Sequence, residues 1–177
     1  MAKRYLVGGP ANSGKSTLVL SLAEHLRRQR GLTVEAIEFD VWSGSYRAFH
    51  GEFTFKDRPK RQGLAWDWQT PLRERIAAFR ASQADIVFGD LPGIVDEAIE
   101  LMCVVAKADA ALVVSFSPEG LKDWTAFFAA HGLPVEFRVL TFKDDPPVIV
   151  TGMNRVISPD HADVAAFAAK LVGKIGN

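Results

Sequence analysis

The sequence has little cysteine, no net charge and no long hydrophobic run. Its single cysteine, Cys103, cannot form an internal disulfide, and its apolar surroundings predict a buried, reduced thiol that suits the cytoplasm. Even the apolar stretch 101–116 is interrupted by Lys107 and Asp109, so we expect no membrane-spanning helix. A formal net charge of +0 provides no basic field for nucleic acid or for an anionic membrane.

What remains is the composition of a folded globular protein. Hydrophobic residues make up 48% of the chain and charged residues 24%. A chain of 177 residues can bury a substantial core without disulfides or a structural metal. We therefore predict a single domain over residues 1–177.

Apolar runs of strand length recur along the chain, with helical patterns between them. We predict strands at residues 5–7, 33–39, 85–89, 110–116, 135–142 and 148–151. Several of these runs are apolar at almost every position, which is typical of parallel strands that helices cover on both faces. The predicted fold class is α/β: a three-layer sandwich with a mainly parallel sheet and helices on both of its faces.

Helix signals fill the gaps between these strands. A first helix follows the first strand and ends at Gly31, after three arginines that favour the negative end of its dipole. Hydroxyl–proline pairs beginning at Thr70, Ser117 and Ser158 predict three further helix starts, the last helix running from about 159 to 173. Another helix is expected over 94–107, with an apolar face of Val95, Ile99, Met102, Cys103 and Ala106.

A glycine-rich motif with the spacing G-x-x-x-x-G-K-S lies between the first strand and the first helix. An ordinary glycine turn is the alternative, but glycines at this spacing also let successive N–H groups point at phosphate oxygens. Lys15 is expected to reach the β- and γ-phosphates, and the Ser16 hydroxyl to bind a magnesium ion bridging them. The predicted nucleotide-binding residues are Gly9, Pro10, Ala11, Asn12, Ser13, Gly14, Lys15, Ser16 and Thr17.

Two aspartates that follow predicted strands suit the same site. Asp90 begins an Asp-x-x-Gly turn in which the aspartate would hold the metal and the Gly93 N–H would sense a γ-phosphate; a helix-capping aspartate is the alternative. Asp40 ends up at the same edge of a parallel sheet and is a candidate for binding the metal or directing the nucleophile, or else for capping a turn. Glu38 is a weaker candidate.

Four features together resemble P-loop NTPases, and more narrowly the branch that includes dethiobiotin synthetase, cobyrinic acid amide synthases and the MinD and ParA ATPases. The features are the motif at 9–16, Asp40, the turn from Asp90 to Gly93, and the sequence 152–155 after the last strand. The resemblance implies that Asn154 and Arg155 contact the nucleobase. A weaker resemblance, through 115–119, Trp124 and 131–134, is to the ATPase-like domain that accompanies a CRISPR-associated ring nuclease.

Two departures from these families limit what the resemblance implies. Pro10 and Ala11 stand where MinD and ParA proteins carry a second lysine, which puts their dimer-bridging mechanism in doubt for this chain. Residues 141–144 have the residue types of a guanine-specificity motif at the wrong spacing, so we interpret them as a turn. ATP is therefore the expected nucleotide.

The segment from about residue 43 to residue 69 shows no sustained period and mixes aromatic with basic residues. In P-loop phosphotransferases this position holds an acceptor site or a closing lid. Stacking on single-stranded nucleic acid is a second interpretation. A satellite hydrophobic cluster with solvated charges is the third.

The sequence as a whole predicts a magnesium-dependent ATPase or an ATP-using phosphotransferase. In this interpretation Lys15, Asp40 and Asp90 are catalytic, while Ser16, Asp40 and Asp90 hold magnesium. The partner would be a small-molecule acceptor, another protein or a second copy of the chain. The alternative is a regulatory module that binds nucleotide with little hydrolysis, for which the weaker resemblance implies a link to CRISPR signalling.

Overall fold

A computed structural model describes residues 2–54, 67–141, 149–150 and 157–175. The strands within these ranges are β1 (Lys3–Gly8), β2 (Val34–Glu38), β3 (Ile86–Asp90), β4 (Ala110–Ser115), β5 (Val135–Thr141) and β6 (Ile149–Val150). They form one parallel sheet in the order β2-β3-β1-β4-β5-β6. Strand β1 is therefore central, and the turn that follows it lies between the turns that follow β3 and β4.

Helices connect these strands. They are α1 (Lys15–Arg30), α2 (Ser45–Phe49), α3 (Gln69–Ala81), α4 (Glu97–Val105), α5 (Pro118–Ala130) and α6 (Ala162–Ile175). Helix α1 ends at Gly31, whose φ of 62° is the left-handed conformation that glycine adopts without a steric cost. None of the described helices is long and apolar enough to cross a membrane.

Two hydrophobic clusters cover the two faces of the sheet, because successive strand residues point to opposite faces. In β1, Tyr5 and Val7 belong to the cluster that includes α1 and α6. Leu6 points the other way, into the cluster that includes α3, α4 and α5. The predicted three-layer α/β sandwich is confirmed.

Of the three predicted hydroxyl–proline helix starts, only the one at Ser117 is confirmed. The Ser117 hydroxyl accepts from the Gly120 N–H at 3.1 Å, and α5 begins at the proline. Thr70 lies inside α3 instead, because Asp67 Oδ1 accepts from the N–H groups of Gln69 and Thr70 and so starts the helix earlier.

The third of these starts, at Ser158, and the separately predicted start of the helix over 94–107 both fall later than predicted. The Ser158 N–H donates to Ser21 Oγ on α1 and the Ser158 carbonyl closes a turn with the His161 N–H, so α6 begins at Ala162. Helix α4 begins after Asp96, whose side chain accepts from the Ile99 N–H. Val95 therefore precedes the helix and is exposed, whereas the predicted apolar positions from Ile99 to Ala106 are buried.

Candidate functional site

The first position of the turn after β1 has a backbone conformation that only glycine can adopt there. Gly9 has a φ of +148°, and a Cβ placed there would lie 1.8 Å from the Val114 carbonyl oxygen on β4. Asn12 and Gly14 are also left-handed, with φ of 60° and 86°. The turn curls back onto the start of α1, whose first-turn N–H groups have no acceptor within the helix and attract anions. We name this turn, at residues 9–16, the cradle, because the sequence predicts that it holds phosphate.

Thr141, at the end of β5, anchors the cradle from the side. Its hydroxyl donates to the Ser13 carbonyl at 2.7 Å and lies 3.3 Å from the Ser115 carbonyl. This role was not predicted, because residues 141–144 have the residue types of a turn. Only the pairing of β4 with β5 brings Thr141 to the loop.

The Lys15 side chain folds back over the cradle. Its Nζ donates to the carbonyl oxygens of Gly9 and Pro10, both at 2.9 Å. Burial lowers the pKa of the Lys15 amine, while the nearby charges of Asp90 and Asp40 act in the opposite direction. The structure thus places a buried cation within reach of the loop and of two carboxylates.

Ser16 and Asp90 meet at the base of the cradle. The Ser16 hydroxyl donates to Asp90 Oδ2 at 2.6 Å, although 74 residues separate the two in sequence. Burial raises the pKa of Asp90 to about 6, against the effects of Lys15 and of the Ser16 hydrogen bond. Asp90 is the last residue of β3 and caps no helix, since Asp96 has that role.

Asp40 and Glu38 lie beside this pair at the end of β2. Asp40 Oδ1 accepts from the Trp42 N–H at 3.1 Å, so the aspartate closes a turn while its charge still acts on Lys15 and Asp90. Burial raises the pKa of Glu38 to about 7, against its hydrogen bond from Ser43. Three carboxyl groups therefore share this corner.

The β3–α4 turn touches the cradle at Gly93. A Cβ there would lie 2.3 Å from the Ala11 backbone nitrogen, so a larger residue would displace one of the two turns. The structure brings Gly93 to the loop, and its role in sensing a γ-phosphate stays a prediction. Asn154, Arg155 and the basic residues of 55–66 lie outside the described residues.

Unsatisfied polar atoms concentrate at this corner. Across the described part of the chain, the buried side-chain oxygen or nitrogen atoms without a hydrogen-bond partner are Ser13 Oγ, Tyr46 Oη and Asp90 Oδ1. Buried polar groups in folded proteins are normally hydrogen-bonded, so orphaned ones call for a ligand or a partner. Tyr46 lies in the segment without a sustained period, so no sequence pattern marks it as a site residue.

The donor set fits magnesium better than a tightly caged transition metal. No three His, Cys, Asp or Glu residues converge as metal ligands within the described ranges. Magnesium keeps several waters and is held by one or two carboxylates plus substrate phosphates. A hydroxyl bonded to a carboxylate that has a second, orphaned oxygen suits that coordination.

No protein-family model and no curated protein matches the sequence. Solved structures do match its fold. The septum site-determining protein MinD from Pyrococcus horikoshii OT3, complexed with Mg-ADP, matches with a TM-score of 0.66 and 14% identity, covering 100% of this chain and 98% of that one. The cell division ATPase MinD from Pyrococcus furiosus matches at 0.63 and 17%, covering 99% and 100%.

A third match is a plasmid partition protein from Borrelia burgdorferi bound to AMPPNP, at a TM-score of 0.64 and 13% identity, covering 98% of this chain and 99% of that one. Identities this low show the fold alone. The chain has the P-loop NTPase fold, and its structural neighbours fit the MinD and ParA branch that the sequence resembles. The resemblance to the CRISPR-associated domain stays a prediction.

Proposed function

We propose that this chain binds a magnesium–nucleoside triphosphate, with ATP as the nucleotide, and transfers or hydrolyses its γ-phosphoryl group. The observation that carries the proposal is the convergence of Lys15, the Ser16–Asp90 pair and the orphaned oxygens on one glycine-rich turn. The nucleotides named with two of the structural neighbours, Mg-ADP and AMPPNP, add support. Residues 1–177 would act as one nucleotide-binding domain.

The chain's own groups have distinct roles in this proposal. The turn N–H groups, including that of Gly93, cradle the phosphates, and Lys15 neutralises charge on the transferred group. Ser16 and Asp90 would hold magnesium, which when bound draws charge from the β- and γ-phosphates. Asp40 would contribute to the metal site or direct the nucleophile. Asn154 and Arg155 are proposed to contact adenine.

A second candidate function is a nucleotide-dependent module that signals to a protein partner. The surface just after Gly93 favours it, because Ile94 is 70% exposed and Val95 46% exposed, and both lie beside the turn that touches the cradle. Such a module would bind ATP tightly but turn it over only with its partner. A small-molecule kinase would instead form a phosphorylated product when its acceptor is added.

Lys15→Ala tests the proposal directly. The purified parent should bind ATP more tightly with magnesium and release phosphate slowly, and Lys15→Ala should lower turnover by about 100-fold. Lys170→Ala, which removes an exposed lysine on α6, is the matched control and should behave as the parent. Equal turnover by the parent and Lys15→Ala would refute a phosphoryl-transfer role for the loop.

A further inference from the structure

Tyr46 is a buried tyrosine whose hydroxyl has no hydrogen-bond partner. It lies on the short helix α2, is 9% exposed, and its Oη is one of the three orphaned atoms at the site. A phenylalanine would fill the same space without the penalty of a buried donor. The hydroxyl therefore needs an explanation other than packing.

The neighbouring strand end fixes the position of Tyr46. Glu38 Oε1 accepts hydrogen bonds from the Ser43 hydroxyl, from the Ser45 N–H at 2.9 Å and from the Tyr46 N–H at 3.4 Å. These N–H groups belong to the first turn of α2, so the Glu38 carboxyl acts as the cap of that helix. Glu38 is also the register partner of Asp90 in the sheet.

The Tyr46 hydroxyl faces the Asp90 carboxylate. Burial raises the pKa of Tyr46 well above its ordinary value, and the charge of Asp90 adds to the rise. Asp90 Oδ2 accepts from Ser16, but Oδ1 has no partner at hydrogen-bonding geometry, nor has Tyr46 Oη. An orphaned donor thus lies beside an orphaned acceptor in the same buried corner.

We propose that Tyr46 is a positioning residue for Asp90: when magnesium and nucleotide bind, its hydroxyl donates to Oδ1, so that Oδ2 stays on Ser16. The inference rests on the proposed function, because the arrangement it fixes is the proposed magnesium site. Outer partners that orient a metal-binding carboxylate govern metal affinity without touching the metal. Through Glu38 and α2, the segment after β2 is then coupled to the magnesium site.

Tyr46→Phe is the test, with nucleotide affinity measured by calorimetry using AMPPNP in magnesium and in EDTA. We expect the magnesium-dependent gain in affinity to fall by about tenfold, with the affinity in EDTA unchanged. The melting temperature of the ligand-free variant should be unchanged or higher, because the hydroxyl has no hydrogen bond to lose before the ligand binds. If Tyr46 had a purely structural role, Tyr46→Phe would leave the magnesium-dependent gain in affinity unchanged.

Tyr5→Phe is the matched control. Tyr5 is also buried, but its hydroxyl donates to Glu136 Oε2 at 2.8 Å, at the edge of the sheet where the strands begin. This variant should have a lower melting temperature and an unchanged magnesium gain. The two tyrosines therefore separate positioning from stability.

A second pair of variants addresses the connection through Glu38. Glu38→Ala releases α2 and should lose the magnesium gain as Tyr46→Phe does, whereas Glu38→Gln keeps the Oε1 acceptor and should lose less of it. An unchanged gain in Tyr46→Phe, in a parent that shows the gain, would overturn the positioning role alone. A parent without any magnesium-dependent affinity would overturn the proposed function and this inference together.

Discussion

Polar side chains are hydrogen-bonded at the edge of the sheet where the strands begin, but several are left without partners at the edge where the strands end. At the edge where the strands begin, Lys3 Nζ lies 2.7 Å from Glu136 Oε1 and the Tyr5 hydroxyl donates to Oε2 of the same carboxylate. Asp85 accepts from both the N–H and the hydroxyl of Thr33. At the edge where the strands end, the buried oxygens of the glycine-rich turn and its neighbours include all the orphaned side-chain atoms of the described residues.

Carboxyl pKa values also differ between the two edges: they are lowered where the strands begin and raised where the strands end. Hydrogen bonds from Thr33 hold the pKa of Asp85 below its ordinary value. Burial raises the pKa of Glu136, but the hydrogen bonds from Lys3 and Tyr5 outweigh it and the net shift is downward. Burial instead raises the pKa of Glu38 to about 7 and of Asp90 to about 6.

This contrast distinguishes a structural edge, where the strands begin, from the edge that we propose binds nucleotide, here named the binding edge. Groups that satisfy one another contribute to folding, whereas groups left buried and unsatisfied weaken the ligand-free protein and are available to a ligand. The predicted variants below therefore differ in whether they change ligand affinity, stability or both.

Gly9→Ala should have the largest effect, on the binding edge. The added Cβ collides with the Val114 carbonyl, so the turn must shift, and displacing the phosphate-binding N–H groups should weaken ATP binding by about 100-fold. Gly31→Ala is the control: its φ is also positive, but nothing lies within 4 Å of the new Cβ. It should cost about 1 kcal/mol of stability and leave affinity unchanged. Equal affinities in the two variants would break the comparison.

Glu136→Ala should have the next largest effect, on the structural edge. It leaves the Tyr5 hydroxyl buried and unpaired, so the free energy of unfolding should fall by about 1–3 kcal/mol in urea titrations. ATP affinity should not change. Glu136→Gln keeps an acceptor and should lose less stability; a loss of affinity in either variant would show that the edges are not independent.

The stability of the ligand-free protein should also depend on pH, through carboxyl groups at the binding edge. This effect should be smaller than those of Gly9→Ala and Glu136→Ala. The ordinary pKa values of Glu38 and Asp90 are 4.5 and 3.8, so the folded protein binds their protons more tightly than the unfolded chain does. Stability should therefore fall as pH rises from about 4 to about 7. Glu38→Gln should recover on the order of 1 kcal/mol of this loss at about pH 8. An identical slope in the variant and the parent would contradict the assignment.

The glycine-rich turn and Asp90 could be predicted because their signals are local. The spacing of Gly9, Gly14 and Lys15 predicts the turn. An acidic residue directly after an apolar run, such as Asp90, predicts a carboxylate at the end of a strand, where the turn also lies. The three-layer sandwich followed from apolar runs of strand length for a similar reason. These features depend little on distant contacts.

Tyr46 and Thr141 could not be predicted because distant contacts create their roles. Helix α2 has no period that a sequence reveals, and Glu38 caps it from a neighbouring strand. Thr141 meets Ser13 across 128 residues of sequence. The failed helix start at Ser158 also involves a distant contact, since the Ser158 N–H donates to Ser21 Oγ on α1, 137 residues away in sequence.

Hydrogen–deuterium exchange with AMPPNP and magnesium tests the central claim most directly. The account predicts slower exchange in residues 9–17, 38–46 and 90–93, and unchanged exchange in residues 3–5 and 134–137 at the opposite edge. Lys15→Ala should abolish the slowing. Slower exchange confined to the opposite edge, or no slowing around the glycine-rich turn at saturating nucleotide, would contradict the claim that this edge is the nucleotide site.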